Sequence, residues 1–351
     1  MSFNRIALSV VVTGILCGAV AAPAGAVTAD VSGTTLRVTG DDSAERIVVS
    51  IRTLSGVQFY TVTAAGANDG SRIDVASGPG CGPLLPNDFP AEEGQATCLS
   101  QPVKDVAING LGGDDRLEIE PERPGFEKVL VPVRVDGGAG SDTIGVDSNP
   151  TSVDGGAGND QIGRRCGPGA ATLRGAAGAD IISACDSGTA DRAGGPLKII
   201  DGGRGNDSLN GSAGRDRISG GPGIDGLHGQ GARDHLDAGA GSDTVTGGKG
   251  DDTLLGRGGK DGLVDNQGAN AIIGAAGDDA LFTLTVGSRA TGSSRVVGGP
   301  GDDSFMIRNR RRDRASGGPG QDSAVADGRD ALRAIETVLT RIPRIPGVPR
   351  P

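Results

Sequence analysis

Eight aspartates lie on one nine-residue lattice, Asp207, Asp216, Asp225, Asp234, Asp243, Asp252, Asp261 and Asp279, and Asn270 fills the one gap. No cysteine lies among them, and the chain has only two histidines, His228 and His235. This is not the mixture that nucleophilic or metal-hydrolytic chemistry needs. It is a row of hard oxygen donors, the type that suits Ca2+ with its six to eight oxygen ligands.

The elements that must carry these carboxylates follow from the same lattice. Cut every nine residues, 202–282 gives nine units, with Gly in eight of nine at the fourth position and Asp in eight of nine at the sixth. The eighth position is always aliphatic: Leu209, Ile218, Leu227, Leu236, Val245, Leu254, Leu263, Ile272 and Leu281. Glycines at positions one, two and four permit a tight turn with positive φ. Such a turn aims backbone carbonyls inward, and position six adds a carboxylate. Residues seven to nine then form a short strand, with position eight facing in. The histidines fall at positions nine and seven, which face out.

Similar units stand at 110–117, 137–144, 155–162 and 175–182, contributing Asp115, Asp142, Asp160 and Asp180. The starts at Gly110, Gly137, Gly155, Gly175 and Gly202 are separated by multiples of nine, except from Gly155 to Gly175. That step contains Cys166 and overshoots two units, which predicts a two-residue insertion there. Units at 298–305 and 317–324, carrying Asp303 and Asp322, are out of phase with the main block.

The units resemble the RTX (hemolysin-type) calcium-binding nonapeptide, GGxGxDxUx with U a large apolar residue, over roughly residues 110 to 325. Residues 202–209 and 247–254 match it fully. The resemblance implies an all-β fold, a right-handed parallel β-roll or β-helix, with two nonapeptides per coil and Ca2+ between successive turns. Turns then alternate sides. One side stacks Asp207, Asp225, Asp243, Asp261 and Asp279, and the other Asp216, Asp234, Asp252 and Asn270. This implies four ion positions on the first side and three on the second, with the Asn270 position weakest. Asp142 and Asp160 make a further site by the same carry-over, and Asp115, Asp180, Asp303 and Asp322 extend the set of candidate ligands. Ser212, Gln230 and Ala232 depart from the glycine positions and put the turn geometry there in doubt.

Composition agrees with a repeat rather than an ordinary core. The 351 residues include 64 Gly, six Phe, one Tyr and no Trp, so aromatics cannot supply the buried area. The net charge of -10 disfavours nucleic acid and anionic membranes as partners and favours cations. One aliphatic side chain per nine ordered residues is little burial to set against backbone entropy. Stacked carboxylates also repel. The repeat region is therefore expected to be mostly disordered without Ca2+. A flexible Gly/Asp linker would leave nine aliphatics in phase unexplained. A calcium-free β-helix held by the cysteines and the opening region is the remaining alternative.

The rest of the chain divides around the repeats. Residues 1–26 read as a secretory signal: Arg5, an apolar run, then Ala24-Gly25-Ala26, with cleavage before Val27. A membrane anchor is the competing reading. Residues 27–108 form a β-rich opening region with a hairpin at Leu54-Ser55-Gly56 and a disulfide loop, 109–201 degenerate repeats with a cysteine insertion, and 202–282 the contiguous roll. Residues 283–327 hold the out-of-phase units, and 328–351 a cap, strand or helix, and a Pro-rich tail. Cys81–Cys98 and Cys166–Cys185 are the pairings favoured by nearness among three possible. The Arg308 to Arg314 cluster reads as a solvated loop rather than a binding patch. No HExxH or GxSxG occurs, and no enzyme is expected. The reading is a secreted calcium-binding repeat protein with a structural or surface-interaction role. The alternatives are a calcium-stiffened adhesin, or a carbohydrate-active enzyme using aspartates clustered outside position six.

Overall fold

A chain with one aliphatic residue per nine, set between glycine turns, buries those residues only by stacking copies of itself. The computed structural model shows this stacking. It describes residues 27–54, 57–66, 75–77, 81–82, 95–99, 103–119, 131–146, 151–164, 169–184, 196–265, 267–283 and 292–339. Among these, two long sheets of 15 and 16 strands face each other, and consecutive nonapeptides supply them alternately. Two nonapeptides therefore make one coil of a parallel β-roll.

The register is set by the eighth position. Leu209 lies opposite Leu227 and Leu227 opposite Val245 in one sheet, while Leu236 lies opposite Leu254 and Leu254 opposite Ile272 in the other. All nine of these aliphatics, from Leu209 to Leu281, are fully buried. Side chains alternate along a strand, so their neighbours point out. His228 is exposed and His235 half-buried, both off the core. The strands are longer than three residues where they run on into the next turn, as in Asp216–Pro222 and Thr244–Lys249.

Irregular spacing leaves the ladder intact. The long step across Cys166 still aligns Gln161 with Ile181, and the later out-of-phase units align Leu281 with Phe305 and Phe305 with Ala324. Units out of phase in sequence are therefore in phase in space. The segment left open between strand and helix is strand: Ala331–Arg333 and Thr337–Leu339 end the two sheets.

The opening region joins the same sheets. Thr35–Thr39 pairs in parallel with Asp105–Asn109, and Glu45–Leu54 with Arg116–Ile119, forming a first coil. Antiparallel strands then cover its end: Val27–Ser32 on one sheet, Val57–Gly66 and Gln95–Leu99 on the other. Cys81 and Cys98 form a disulfide there. The 55–56 turn, Cys166, Cys185, the expected signal and the Pro-rich tail lie outside the described residues.

Glycine is required most strictly at position four. Gly241 has φ 149°, a region essentially closed to other residues, and a Cβ there would overlap the carbonyl oxygen of Gly223 one coil back. The doubted positions resolve differently. Gln230 and Ala232 keep left-handed φ values of 75° and 74°, within reach of non-glycine residues at some strain. Thermal unfolding in calcium tests this hierarchy. Leu236→Ala should cost about 2–5 kcal/mol as a core truncation. Gly241→Ala should cost at least as much despite adding only a methyl group, and a near-neutral result would contradict the stacked turn.

Candidate metal centre

The sixth-position carboxylates stand in two columns, each tied by its backbone. The peptide N–H of Asp207 donates to Oδ1 of Asp225 at 2.8 Å, Asp225 to Asp243 at 2.8 Å, Asp243 to Asp261 at 2.9 Å and Asp261 to Asp279 at 2.9 Å. The ladder continues through the irregular units, from Asp115 to Asp142, Asp160, Asp180 and Asp207, and from Asp279 to Asp303 and Asp322. The first column is thus longer than the five aspartates of the main block. Glu45 precedes it and Glu336 ends it, through Glu45 N–H to Asp115 Oδ1 at 2.8 Å and Asp322 N–H to Glu336 Oε2 at 2.7 Å.

The second column is shorter. Asp216 donates to Asp234 at 2.9 Å, Asp234 to Asp252 at 2.8 Å and Asp252 to Asn270 at 2.9 Å. It then continues through Ser294, Asp313 and Asp330.

One oxygen of each carboxylate serves the ladder; the other tests whether a cation fits. The Oδ2 atoms of Asp115, Asp142, Asp160, Asp180, Asp207, Asp225, Asp243, Asp261, Asp279, Asp303 and Asp322 are buried and receive no hydrogen bond. The same holds for Asp234 and Asp252. Leaving a buried acceptor unsatisfied is costly, more so when it is charged. At Gly110, Gly137, Gly175, Gly202, Gly220, Gly229, Gly256 and Gly317 the oxygen faces the first-position glycine of its own turn and a carbonyl of the next coil, whereas Asp243 has Ala238 at that position and Asp252 has Asp265 Oδ2 in place of the carbonyl. A Cβ on Gly229 would lie 2.5 Å from Asp234 Oδ2 and 2.7 Å from the Gly247 carbonyl oxygen. A Cβ at Gly229 would close that space. Among the described residues no three His, Cys, Asp or Glu side chains converge on one point. The donors are therefore turn carboxylates plus backbone carbonyls, an all-oxygen set suited to Ca2+ and unlike a tetrahedral N/S zinc site.

The electrostatics agree. Burial, followed by the charges of neighbouring column carboxylates, pushes Asp234 up to about 8 and Asp115, Asp160 and Asp303 to about 7. Asp180, Asp225 and Asp261 rise to about 6, and Asp142, Asp207, Asp243, Asp252 and Asp279 are raised as well. In each, burial is the largest cause and the ladder hydrogen bond opposes it.

Asp216 differs from its column. Ser212 at position two donates its peptide N–H to Oδ2 at 2.6 Å, and its hydroxyl lies 3.1 Å from both carboxylate oxygens. Gln230 Nε2 also caps the Gly211 carbonyl at 2.9 Å. Asn309 does the same for Asp313, donating to Oδ2 at 2.7 Å. One coil before Asp216 the column holds Lys198, fully buried, in register with Asp216 and donating from Nζ to the Gly169 carbonyl at 2.5 Å. Sequence reasoning missed Lys198, although two nonapeptides counted back from Asp216 land on it. It also missed Glu45, six positions into a degenerate unit that opens at Gly40, because 70 residues separate it from Asp115. Asp265, fully buried at position one, was missed because that position is ordinarily glycine.

Paired acids such as Asp251-Asp252 divide their tasks. The fifth-position carboxylate takes a peptide N–H of the next coil at the exposed edge, as Asp251 Oδ1 does from Ala269 at 2.9 Å. Outside these turns, Asp136 and Asp154 lie side by side on the outer face of neighbouring strands. The Arg310 and Arg311 backbones close a further turn of the roll, with N–H bonds to Asp327 and Asn309.

A family model described as the RTX calcium-binding nonapeptide repeat (4 copies) matches residues 199–227 and 228–263. No curated protein and no solved structure gives a match. The matched stretch holds the Asp207, Asp225, Asp243 and Asp261 rungs of one column and the Asp216, Asp234 and Asp252 rungs of the other, with the same ladder running on beyond it. Residues 199–263 are similar to RTX-type calcium-binding nonapeptide repeats.

Proposed function

We propose that Ca2+ is held along both columns, by Asp115, Asp142, Asp160, Asp180, Asp207, Asp225, Asp243, Asp261, Asp279, Asp303 and Asp322 on one side and by Asp234 and Asp252 on the other. The observation that carries this is the buried, partnerless Oδ2 at every one of these residues. Asp216 is the weakest candidate, since Ser212 already satisfies it. Bound calcium would supply positive charge and accept these oxygens as ligands. The chain's own part is to aim one carboxylate oxygen and the turn carbonyls at each site. Extracellular modules of this kind bind at about 10⁻⁴–10⁻³ M. Such an affinity leaves the roll empty where calcium is scarce and filled where it is millimolar.

The role that follows is a secreted scaffold that stiffens on meeting calcium and presents its outer faces and loops to a surface partner. Two observations support it: the leader-like segment 1–26, and Val27, which is fully buried at the start of the first strand. Among the described residues no helix is long and apolar enough to cross a membrane. Mass analysis of chain recovered from the medium should find Val27 at its N-terminus, and its retention on cells or glycans should require calcium. A retained leader, or retention indifferent to calcium, would count against the role.

Circular dichroism tests calcium itself. Chelator should remove most of the strand signal from the repeats and millimolar calcium should restore it; identical folded spectra, or no binding at millimolar calcium, would end the reading. The pH dependence has a definite sign. Carboxyls whose folded pKa is raised stabilise the metal-free roll at low pH, and that contribution is lost as pH rises through about 6–8. In chelator the strand signal should therefore be greater at pH 5 than at pH 8. Calcium needs the ionised form, so its midpoint concentration should move the opposite way and fall from pH 5 to pH 8. A metal-free roll that gains structure on going to pH 8 would contradict this.

A further inference from the structure

On the 16-stranded sheet, the residue after each core aliphatic points outward, and these residues stand in register from coil to coil. In the middle of the roll this outer row is polar, with Asn210, His228 and Thr246. After Thr246 it changes character. Val264 lies opposite Phe282, Phe282 opposite Met306, Met306 opposite Val325 and Val325 opposite Leu339. The first four are half-buried and Leu339 is exposed. Two residues earlier on each strand a second outward row is small, with Gly262, Ala280, Ser304 and Ser323. Five apolar side chains beside a row of small ones make a groove across the strands. The core does not require it, since the inward positions between the rows are already filled by Leu263, Leu281 and Phe305. A contiguous outward apolar stripe marks a contact surface.

The chain that follows Leu339 carries a matching pattern, although residues 341–350 themselves lie outside the described residues. Ile342-Pro343, Ile345-Pro346 and Val348-Pro349 place an aliphatic residue before a proline every three residues, with Arg341, Arg344 and Arg350 on the same period. Three residues make one turn of a polyproline II helix, which sets the aliphatics along one side and the arginines along another. Its rise of about 3.1 Å per residue puts successive aliphatics about 9.3 Å apart, and Ile342 about 19 Å from Val348. Neighbouring strands lie about 4.8 Å apart, so two steps are about 9.6 Å and the stripe from Val264 to Leu339 spans about 19 Å. The aliphatics therefore match every second rung, and the two spans agree. Leu339 to Ile342 is the length of one β-turn, so the segment starts at the end of the stripe. Charge agrees as well. Asp278 and Asp302 stand exposed on the turn edge beside the small row, where Asp278 Oδ1 accepts the Asp302 N–H at 2.9 Å.

We propose that residues 341–350 dock in this groove as a polyproline II helix. Ile342, Ile345 and Val348 lie on the stripe, and Arg344 and Arg350 face the Asp278 and Asp302 edge. A segment crossing the strands forms no ladder with them, and prolines, which have no N–H, lose nothing by this. The tail then covers the outer face of the last coils and ties their strands together from outside.

The test is tryptic cleavage after Arg341 and Arg344, followed by mass spectrometry on the full chain in millimolar calcium. Docking should make both cuts at least tenfold slower in wild type than in Met306→Gln/Val325→Gln, which makes the stripe polar. Ile342→Ser/Ile345→Ser should be cut as fast as the stripe variant. It leaves the roll unaltered, so it decides the matter even if the stripe variant fails to fold, which circular dichroism reports. Thr246→Gln, on the polar half of the same row, should keep the wild-type protection. The proposal is overturned if wild type is cut as fast as Ile342→Ser/Ile345→Ser. It is overturned too if sedimentation shows a wild-type dimer that the stripe variant abolishes while the tail is cut equally fast in both, which would assign the groove to a second copy.

Discussion

Each column aspartate has two oxygens, and the backbone ladder uses only one. Its Oδ1 is tied to the N–H of the aspartate one coil earlier, which locks the side chain inside the turn. Except at Asp216 and Asp313, its Oδ2 is then left buried with no hydrogen-bond donor. The glycines, the spacing and the stacked carbonyls all serve this arrangement. The same device that builds the columns creates the electrostatic problem that a cation resolves. Desolvation and, after it, repulsion between column carboxylates raise the carboxyl pKa values together.

The columns are bounded by residues that answer the same problem without metal. Ser212 and Asn309 turn polar groups onto Asp216 and Asp313 from position two, and the Asp41 peptide N–H does so for Glu45 at 3.0 Å. Lys198 places a buried ammonium in the second column just before its first aspartate. Above it the column holds Ala171 and Thr151, which carry no charge. The two sides of the roll are therefore unequal. One has an unbroken acidic run from Asp115 to Asp322, and the other carries acids only from Asp216 onward, interrupted at Asn270 and Ser294.

The apolar core shows why the roll tolerates insertions. Parallel pairing holds rungs with extra chain between them, such as Leu281 and Phe305, as well as evenly spaced rungs such as Leu263 and Leu281. What the fold needs is an aliphatic side chain and an acidic turn at each rung. The length of chain between rungs is free, because loop closure costs rise slowly with length.

The repeat's own period determined the core and much of the two columns. Position eight must face inward because side chains alternate along a strand, and position six must lie in the turn because glycines flank it. Both are local consequences of a single nonapeptide, so they could be read at Leu227 or Asp225 without any tertiary information. Residues whose role depends on a neighbour in another coil were decided only by tertiary structure. Glu45 meets Asp115 across 70 residues, Lys198 lies in register with Asp216, and Asp265 comes to the same glycine, Gly247, as Asp252 of the preceding coil. The opening strands likewise looked separate in sequence, yet they pair with Asp105–Asn109 and Arg116–Ile119 as the roll's first coil. A local pattern records which way a side chain points. Which partner it meets depends on how many residues the intervening loop removes from the ladder, and that number is not part of the pattern.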